Sequence, residues 1–490
     1  MRRPRTSKPW LGNTNSSRGS ELTRSRAILW GLLLLLAVRV AAMIWVPLTD
    51  PTEARYAEIA RKMAETGNWI TPQFDYGVPF WAKPPLHTWL SALGIAGLGV
   101  NPFAARLGIL LSALATLLIL WLWARTLTDR VTAGVAVLLT ASSGLFFVAM
   151  GFVQTDMALT LGVTACMAGF YGGLQGERRW GWLFFLGLAI GLLAKGPVAT
   201  VLTMMPITVF MLWRGSWKDL LRLPLIGGTV LVAVLVLPWY LAAEIATPGY
   251  LYYFIVGEHI QRFLQPGWSG DLYGAGRAHP KGMIWVFWFL ATLPWSPLLP
   301  LLLWRLRKGL PRKQNPDITA DRSLYIYLLL FALAPLVLFT PAANIIITYV
   351  LPGVPAAALL SVILWVRIGP AQPKWLHLGV SEVLVVATGL TVIAFLGLGR
   401  TAIPSEAPLI EAFDGAGRLA IFDSRSFSAE FYTQGKITRL KTLDDVGSWL
   451  APGDGVLVPK YRQDEFVARF GEAVRPVAEN RKYLLYVRAQ

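Results

Sequence analysis

Apolar residues run in blocks of about twenty along most of this chain, and a block of that length crosses a bilayer's hydrocarbon core as one helix. On that spacing the sequence predicts spans near 27–47, 103–124, 131–151, 157–175, 222–243, 282–304, 324–340, 350–367 and 376–399. Residues 180–213 would make a helix of roughly 50 Å at about 1.5 Å per residue, too long for one crossing, and Lys195-Gly196-Pro197 interrupts it. Two shorter spans joined at that turn bring the expected count to eleven. From residue 401 the pattern changes: RLAIFDSRSFSAEFYTQGK, GDGVLVPKY and YLLYVRAQ read as short strands, separated by helical TLDDVGSWLA and QDEFVARFGEAV. The expected organisation is a basic cytoplasmic tail (1–26), an α-helical polytopic membrane domain (27–400) with outer loops at 48–102 and 244–281, and a small extracytoplasmic α/β domain (401–490).

Composition supports the spans. With 55% hydrophobic and 15% charged residues and 21 tryptophans, the chain is not a soluble enzyme. The net charge of +17 would suit nucleic acid in a soluble protein, but here the bases serve orientation. Arg125, Arg130, Arg178, Arg179, Arg214, Lys218, Arg222 and the RLRKGLPRKQNPDITADR connection fall between spans on one side, which predicts a cytoplasmic N-terminus. No small-residue cleavage site follows the first apolar run, so it is expected to remain as a span. The lone Cys166 excludes an internal disulfide and a cysteine-based metal site.

The polar residues that this scheme leaves over crowd the outer face. In LTDPTEARYAEIARKMAETGNW, Asp50 or Thr52 is a candidate N-cap, Pro51 suits the first turn, and Glu58, Arg61, Lys62 and Glu65 share a polar face. A helix lying along the membrane surface with that face in water accounts for those four charges. It accounts less well for Asp50 at the mouth of the first span, because acids at membrane depth tend to mark sites. Lys83, fixed between Trp81 and two prolines, suits an anionic head group; snorkelling to lipid phosphate explains it about as well. Asp156 opens a later span on the same face, as a cap or as a site acid. In the long outer connection Glu258, His259 and Arg262 fall within one helical turn, with His279 and Lys281 downstream. Arginine's planar fork suits a phosphate leaving group, whereas an internal ion pair on a surface helix is the plainer explanation.

Taken in order, DPTEARYAEIARKM, PFWAKPPLHTWL, TDMAL, LLAKGP, GEHIQRF and TYVLPGVPAAALL resemble the aminoarabinose transferase and protein mannosyltransferase superfamily of membrane glycosyltransferases, which has the GT-C fold. The resemblance implies inverting transfer of a sugar from a polyprenyl-phosphate carrier to lipid A, another envelope lipid or glycan, or protein, outside the inner membrane. It implies catalytic roles for Asp50 and Asp156, and carrier-phosphate contacts from Lys83, Arg262 and Tyr349. Glu53, Arg55, Tyr56, Glu258 and His259 complete the expected substrate contacts. The chain departs from the superfamily's pattern at Ala82, at Gly257 and at Asn344 before the tyrosine. No nucleic acid is expected; a divalent metal is left open as a cofactor, with Ala82, Gly257 and the single histidine on the helix of His259 against it. A transporter or flippase of lipid-linked sugars, or a polymerase or ligase of them, would share the spans and the charges. Against a transporter, the spans do not form two similar halves and the polar groups crowd one face.

Overall fold

The computed structural model describes residues 14–274, 276–308, 322–368, 374–396 and 403–489. The start of the basic tail, most of the RLRKGLPRKQNPDITADR connection and the end of the last expected span lie outside the described residues. Among the described residues, seven helices are long and apolar enough to cross a membrane. The chain begins with α1 (Thr14–Trp45), α2 (Thr52–Thr66), a two-stranded hairpin (β1, Gln73–Asp75; β2, Val78–Pro79), α3 (Leu86–Leu98) and α4 (Pro102–Leu127). It continues with α5 (Arg130–Ala141), α6 (Gly144–Ala149), α7 (Asp156–Leu174), α8 (Arg178–Lys195), α9 (Pro197–Arg214) and α10 (Leu225–Ala246).

Two expected spans are broken. Residues 131–151 form α5 and the short α6, with the backbone extended at Ser143. Residues 282–304 form Met283–Ala291 and Leu298–Arg307, separated by the stretch that holds Pro294 and Pro297, which cannot continue the ladder of amide donors. The expected break at Lys195-Gly196-Pro197 is present, with Gly196 at φ 73° between α8 and α9.

The hairpin of α7 and α8 positions the site most directly. A Cβ at Gly162 would stand 2.7 Å from the Gly191 nitrogen, and one at Gly169 would stand 2.3 Å from the Phe184 nitrogen. Only glycine allows backbones so close, the usual way for helices to associate in lipid. The consequence is that Asp156, at the start of α7, and Lys195, at the end of α8, finish side by side.

α2 does not lie with its polar face in water. Glu58, Arg61 and Lys62 are buried at 0%, 3% and 1% exposure. Arg61 forms a two-pronged bond to Glu58 (2.7 and 2.8 Å), and Lys62 donates to Glu430 at 3.2 Å. Burial opposes charge on Arg61, but its bonds to Glu58 and Tyr76 hold the guanidinium above its ordinary range. What covers this face is the C-terminal domain, whose short helix Phe427–Tyr432 packs Phe427 and Phe431 into one cluster with Ala57, Ile59, Ala60 and Met63 of α2. Arg425 adds a bond to the Phe74 carbonyl (2.9 Å), and Arg439 pairs with Asp75 of the hairpin.

That domain is a five-stranded sheet of β3 (Leu419–Phe422), β4 (Thr438–Leu440), β5 (Gly455–Pro459), β6 (Val474–Glu479) and β7 (Tyr483–Arg488), in the order β4-β3-β5-β7-β6. β3 runs parallel to β4 and β5, while β7 runs antiparallel to β5 and β6. The helices at TLDDVGSWLA and QDEFVARFGEAV are present as Leu443–Trp449 and Gln463–Phe470. The stretch RLAIFDSRSFSAEFYTQGK, expected as strand, is strand only to Phe422 and then turns into the docking helix.

At the contact, Asp50 meets Glu406 across two serines. The Ser426 hydroxyl lies 3.0 Å from Asp50 Oδ2 and also bonds to Glu406, as does the Ser428 hydroxyl. Because Ser426 has one hydroxyl proton, it cannot satisfy both carboxylates at once. Burial, and next to it Asp50, push the Glu406 carboxyl up from 4.5 to about 7. The folded state therefore binds this proton more tightly than the unfolded chain. Its contribution is complete below about pH 4.5 and is lost as the pH rises through about 7. Domain docking is expected to weaken over that window by up to about 3 kcal/mol. Glu406→Gln, whose amide donates at every pH, should flatten the dependence in melting curves taken in detergent across a pH series.

Candidate functional site

The contacts of Asp50 are with the C-terminal domain. Its carboxylate accepts from the Phe427 and Ser428 amides at 3.2 and 3.0 Å, besides Ser426, and its own amide donates to the Pro404 carbonyl at 2.7 Å. Neither Asp50 nor Thr52 caps α2: Pro51 holds the N-cap position, and Glu53 reaches back to the Thr49 amide at 3.0 Å. Four partners from residues 404–428 thus hold Asp50 at the contact between the membrane domain and the C-terminal domain. Glu53 is held away from the surface. It is fully buried and bonded in two-pronged fashion to Arg106 (2.7 and 2.9 Å), which leaves its carboxylate no open side for a substrate.

A second group of charges gathers where β2, α3 and the outer connection meet. Residues 250–264 form one helical stretch that widens to a π-helix over Tyr253–Gln261, a form frequent at functional sites. Glu258 and Arg262 stand on one side of it. Lys83 Nζ lies 2.6 Å from Glu258 Oε2, and Arg262 Nη1 donates to both Glu258 oxygens at 3.0 Å and lies 3.3 Å from Asp271. The order of burial carries the chemistry. The acid side chains are nearly closed off, with Glu258 at 2% and Asp271 at 4%, while Lys83 keeps 15% and Arg262 24% of their side chains exposed. Two cations thus form the open surface, and two acids behind them fix their geometry. Burial alone would raise the Glu258 carboxyl, but Lys83 and Arg262 keep it below its ordinary value, so it stays ionised.

His259 does not join this cluster. Its ring nitrogens face the carbonyls of Phe254 (2.7 Å) and Lys195 (3.1 Å). Burial holds its pKa below the ordinary value although both carbonyls favour the protonated ring. Its contact ties the π-helix to the Lys195-Gly196-Pro197 turn, beside a third group. Lys195 Nζ bonds to Asp156 at 2.5 Å and stands 4.1 Å from the Tyr349 ring centre, while the Thr348 hydroxyl donates to the other Asp156 oxygen at 3.0 Å. Asp156 makes no capping bond in α7. Tyr349 lies within electrostatic reach of Arg262, Lys83, Asp156 and Glu258, which links the two groups. Arg55 donates to the Tyr273 carbonyl, and Tyr56 packs edge-on against His87 within electrostatic reach of Arg262. His279, farther along, packs against Phe287.

Sequence reasoning missed Lys195, Thr348, Tyr253 and Asp271 as members of this region. Lys195 carried a usable signal, a cation inside an apolar block. Asp271 and Tyr253 carried none, because their roles depend on how the outer connection folds back.

Comparison with known proteins gives consistent matches. Residues 32–254 match the family model for dolichyl-phosphate-mannose-protein mannosyltransferase. The undecaprenyl phosphate-alpha-4-amino-4-deoxy-L-arabinose arabinosyl transferase of Pseudomonas aeruginosa is 32% identical over 76% of this chain and 66% of its own length. The enzyme of the same name from Edwardsiella ictaluri is 34% identical over 64% of this chain and 54% of its own. This chain therefore spans about half to two thirds of the length of these relatives. Among solved structures, ArnT from Cupriavidus metallidurans bound to undecaprenyl phosphate superposes with a TM-score of 0.73 at 18% identity, covering 94% of this chain and 98% of that one. The fold is shared, and the chain is a relative of the aminoarabinose and mannose transferases of the membrane.

The Asp156–Lys195 pair sets up a test. Asp156→Asn strands a buried ammonium and should destabilise the protein by about 3–5 kcal/mol. Adding Lys195→Met should recover most of the lost melting temperature in detergent, and a double variant no more stable than the single would contradict the pairing.

Proposed function

We propose that this GT-C membrane protein is an inverting glycosyltransferase that moves a sugar from a polyprenyl-phosphate carrier to an envelope acceptor. The observation that carries the proposal is the pair of partly open cations, Lys83 and Arg262, backed by the buried side chains of Glu258 and Asp271. As the bond between the anomeric carbon and the phosphate oxygen breaks, its electron pair stays on the phosphate, whose charge grows from about −1 to −2 at neutral pH. Lys83 and Arg262 meet that charge where it develops, with little reorganisation, because the acids already hold them. Tyr349 lies within their reach, and Lys195 and Asp156 lie beside it. An attacking acceptor oxygen forms the new bond from the opposite side, which inverts the carbon. A hydroxyl acceptor gives up its proton to a base or to water; a phosphate acceptor, as on lipid A, has none to lose. Asp50, held by the C-terminal domain, acts by fixing the start of α2 and thereby Arg55 and Tyr56.

The placement of Asp156 and Lys195 at the adjoining ends of α7 and α8, with Arg178 and Arg179 at the opposite end of α8, supports an outer-face site and a cytoplasmic N-terminus in the bacterial inner membrane. The names of the relatives support undecaprenyl phosphate as the carrier and a 4-amino-4-deoxy-arabinose-type sugar as the first cargo to try.

Mass spectrometry of lipid A, glycans and polyprenyl-phosphate sugars should show one glycosyl group missing and its carrier-linked form accumulating when the gene is deleted or carries Arg262→Ala or Lys83→Ala. Asp50→Asn should lower the product yield by less than either. Unchanged envelope molecules and carrier pools in the deletion would remove the transferase assignment.

A further inference from the structure

We infer that Asn344 is a positioning residue that fixes Arg262 by closing the end of the helix that carries it. This rests on the assignment of Arg262 to the carrier phosphate. The helical stretch ends at Leu264, after which Gln265 is extended and Gly267 turns with φ 59°. A helix end leaves its last carbonyls without amide partners, and in a buried setting each costs free energy unless something donates to it. Here the donor comes from a distant segment. The Asn344 side-chain nitrogen donates to the Arg262 carbonyl at 2.6 Å and to the Gln265 carbonyl at 2.7 Å, while its oxygen accepts from the Gly267 amide at 3.1 Å. Asn344 is 7% exposed, so water does not stand in readily for these bonds.

The flanking backbone holds the amide in place. Ala343 donates to the Phe263 carbonyl at 2.8 Å, Ile345 donates to the Arg277 carbonyl at 3.2 Å, and Ala278 bridges to Asn344. A Cβ at Gly276 would come within 2.5 Å of the Asn344 oxygen, so the opposite wall is closed against the amide as well. Only a side chain with two donors and one acceptor on a short stem satisfies all three backbone groups. Aspartate has the shape without the donors, and lysine would bring a charge and no acceptor. Five residues further along the same segment stands Tyr349, so one stretch of chain both supplies a group near the carrier site and clamps the helix bearing Arg262.

The test uses the full-length protein in detergent, with Asn344→Asp and Asn344→Ala each made alone and in an Arg262→Ala background. Hydrogen exchange of the peptide covering 259–268 and affinity for undecaprenyl phosphate are read for each. The expected result is faster exchange in that peptide and about five- to hundredfold weaker binding in both single variants. In the Arg262→Ala background the same changes at 344 should add nothing to the loss of affinity, because their effect passes through Arg262. Unchanged exchange in both variants overturns the clamp. Faster exchange with unchanged affinity, or an equal further loss in the Arg262→Ala background, overturns the positioning role. If the unsubstituted protein does not bind undecaprenyl phosphate, the carrier assignment itself falls, and the exchange data alone then decide whether the clamp exists.

Discussion

The Arg106 guanidinium is the point from which the outer half of the molecule is built. It donates to the Met43, Val46 and Pro47 carbonyls at 3.0, 2.7 and 3.2 Å, where the first membrane helix ends, and it grips Glu53 in the first turn of α2. A charge this deeply buried is tolerated only because every donor has a use, and removing Glu53 or Arg106 alone would strand the other. The pair sets the angle at which the chain leaves α1 and turns into α2. From that angle follow the burial of Glu58, Arg61 and Lys62 under the C-terminal domain and the approach of Arg55 and Tyr56 to the outer connection.

The candidate site repeats this solution with one difference. At Arg106 both partners are closed in, which makes a structural joint. At Lys83 and Arg262 the acids are closed in and the cations are left partly open, the arrangement proposed to hold an anion. The two arrangements are built from the same residue types, so burial order rather than composition separates a joint from a binding surface. The tight α7–α8 hairpin adds Asp156 and Lys195 to the region, and the His259 contact with the Lys195 carbonyl ties that hairpin to the π-helix.

Much of the frame was legible because a bilayer imposes one length on whatever crosses it. The long helices at Pro102–Leu127, Asp156–Leu174 and Leu225–Ala246 match the apolar blocks closely. Residues 131–151 and 282–304 have the same hydropathy but break where the backbone turns at Ser143 and at the prolines, which a count of apolar residues does not register. α2 was misread for a different reason. An amphipathic pattern looks the same whether its polar face meets water or an ionic counterpart on another domain, and Glu430 and Arg425 lie more than 350 residues away in the chain. The interdomain contacts of Asp50 were hidden for the same reason. Its depth and charge were visible, whereas Ser426, Phe427, Ser428 and Glu406 were not. Lys83, Glu258 and Arg262 were legible as candidates, and the resemblance already joined Lys83 and Arg262 at one phosphate, but the Lys83–Glu258 pair and the part of Asp271 came only with the fold.

The most direct test is an experimental structure of the protein with undecaprenyl phosphate bound in a lipid nanodisc. The account predicts the phosphate within hydrogen-bond distance of Lys83 Nζ and the Arg262 guanidinium, with Glu258 and Asp271 still behind them. A phosphate bound elsewhere, with the Lys83–Glu258–Arg262 cluster closed and untouched, would contradict it.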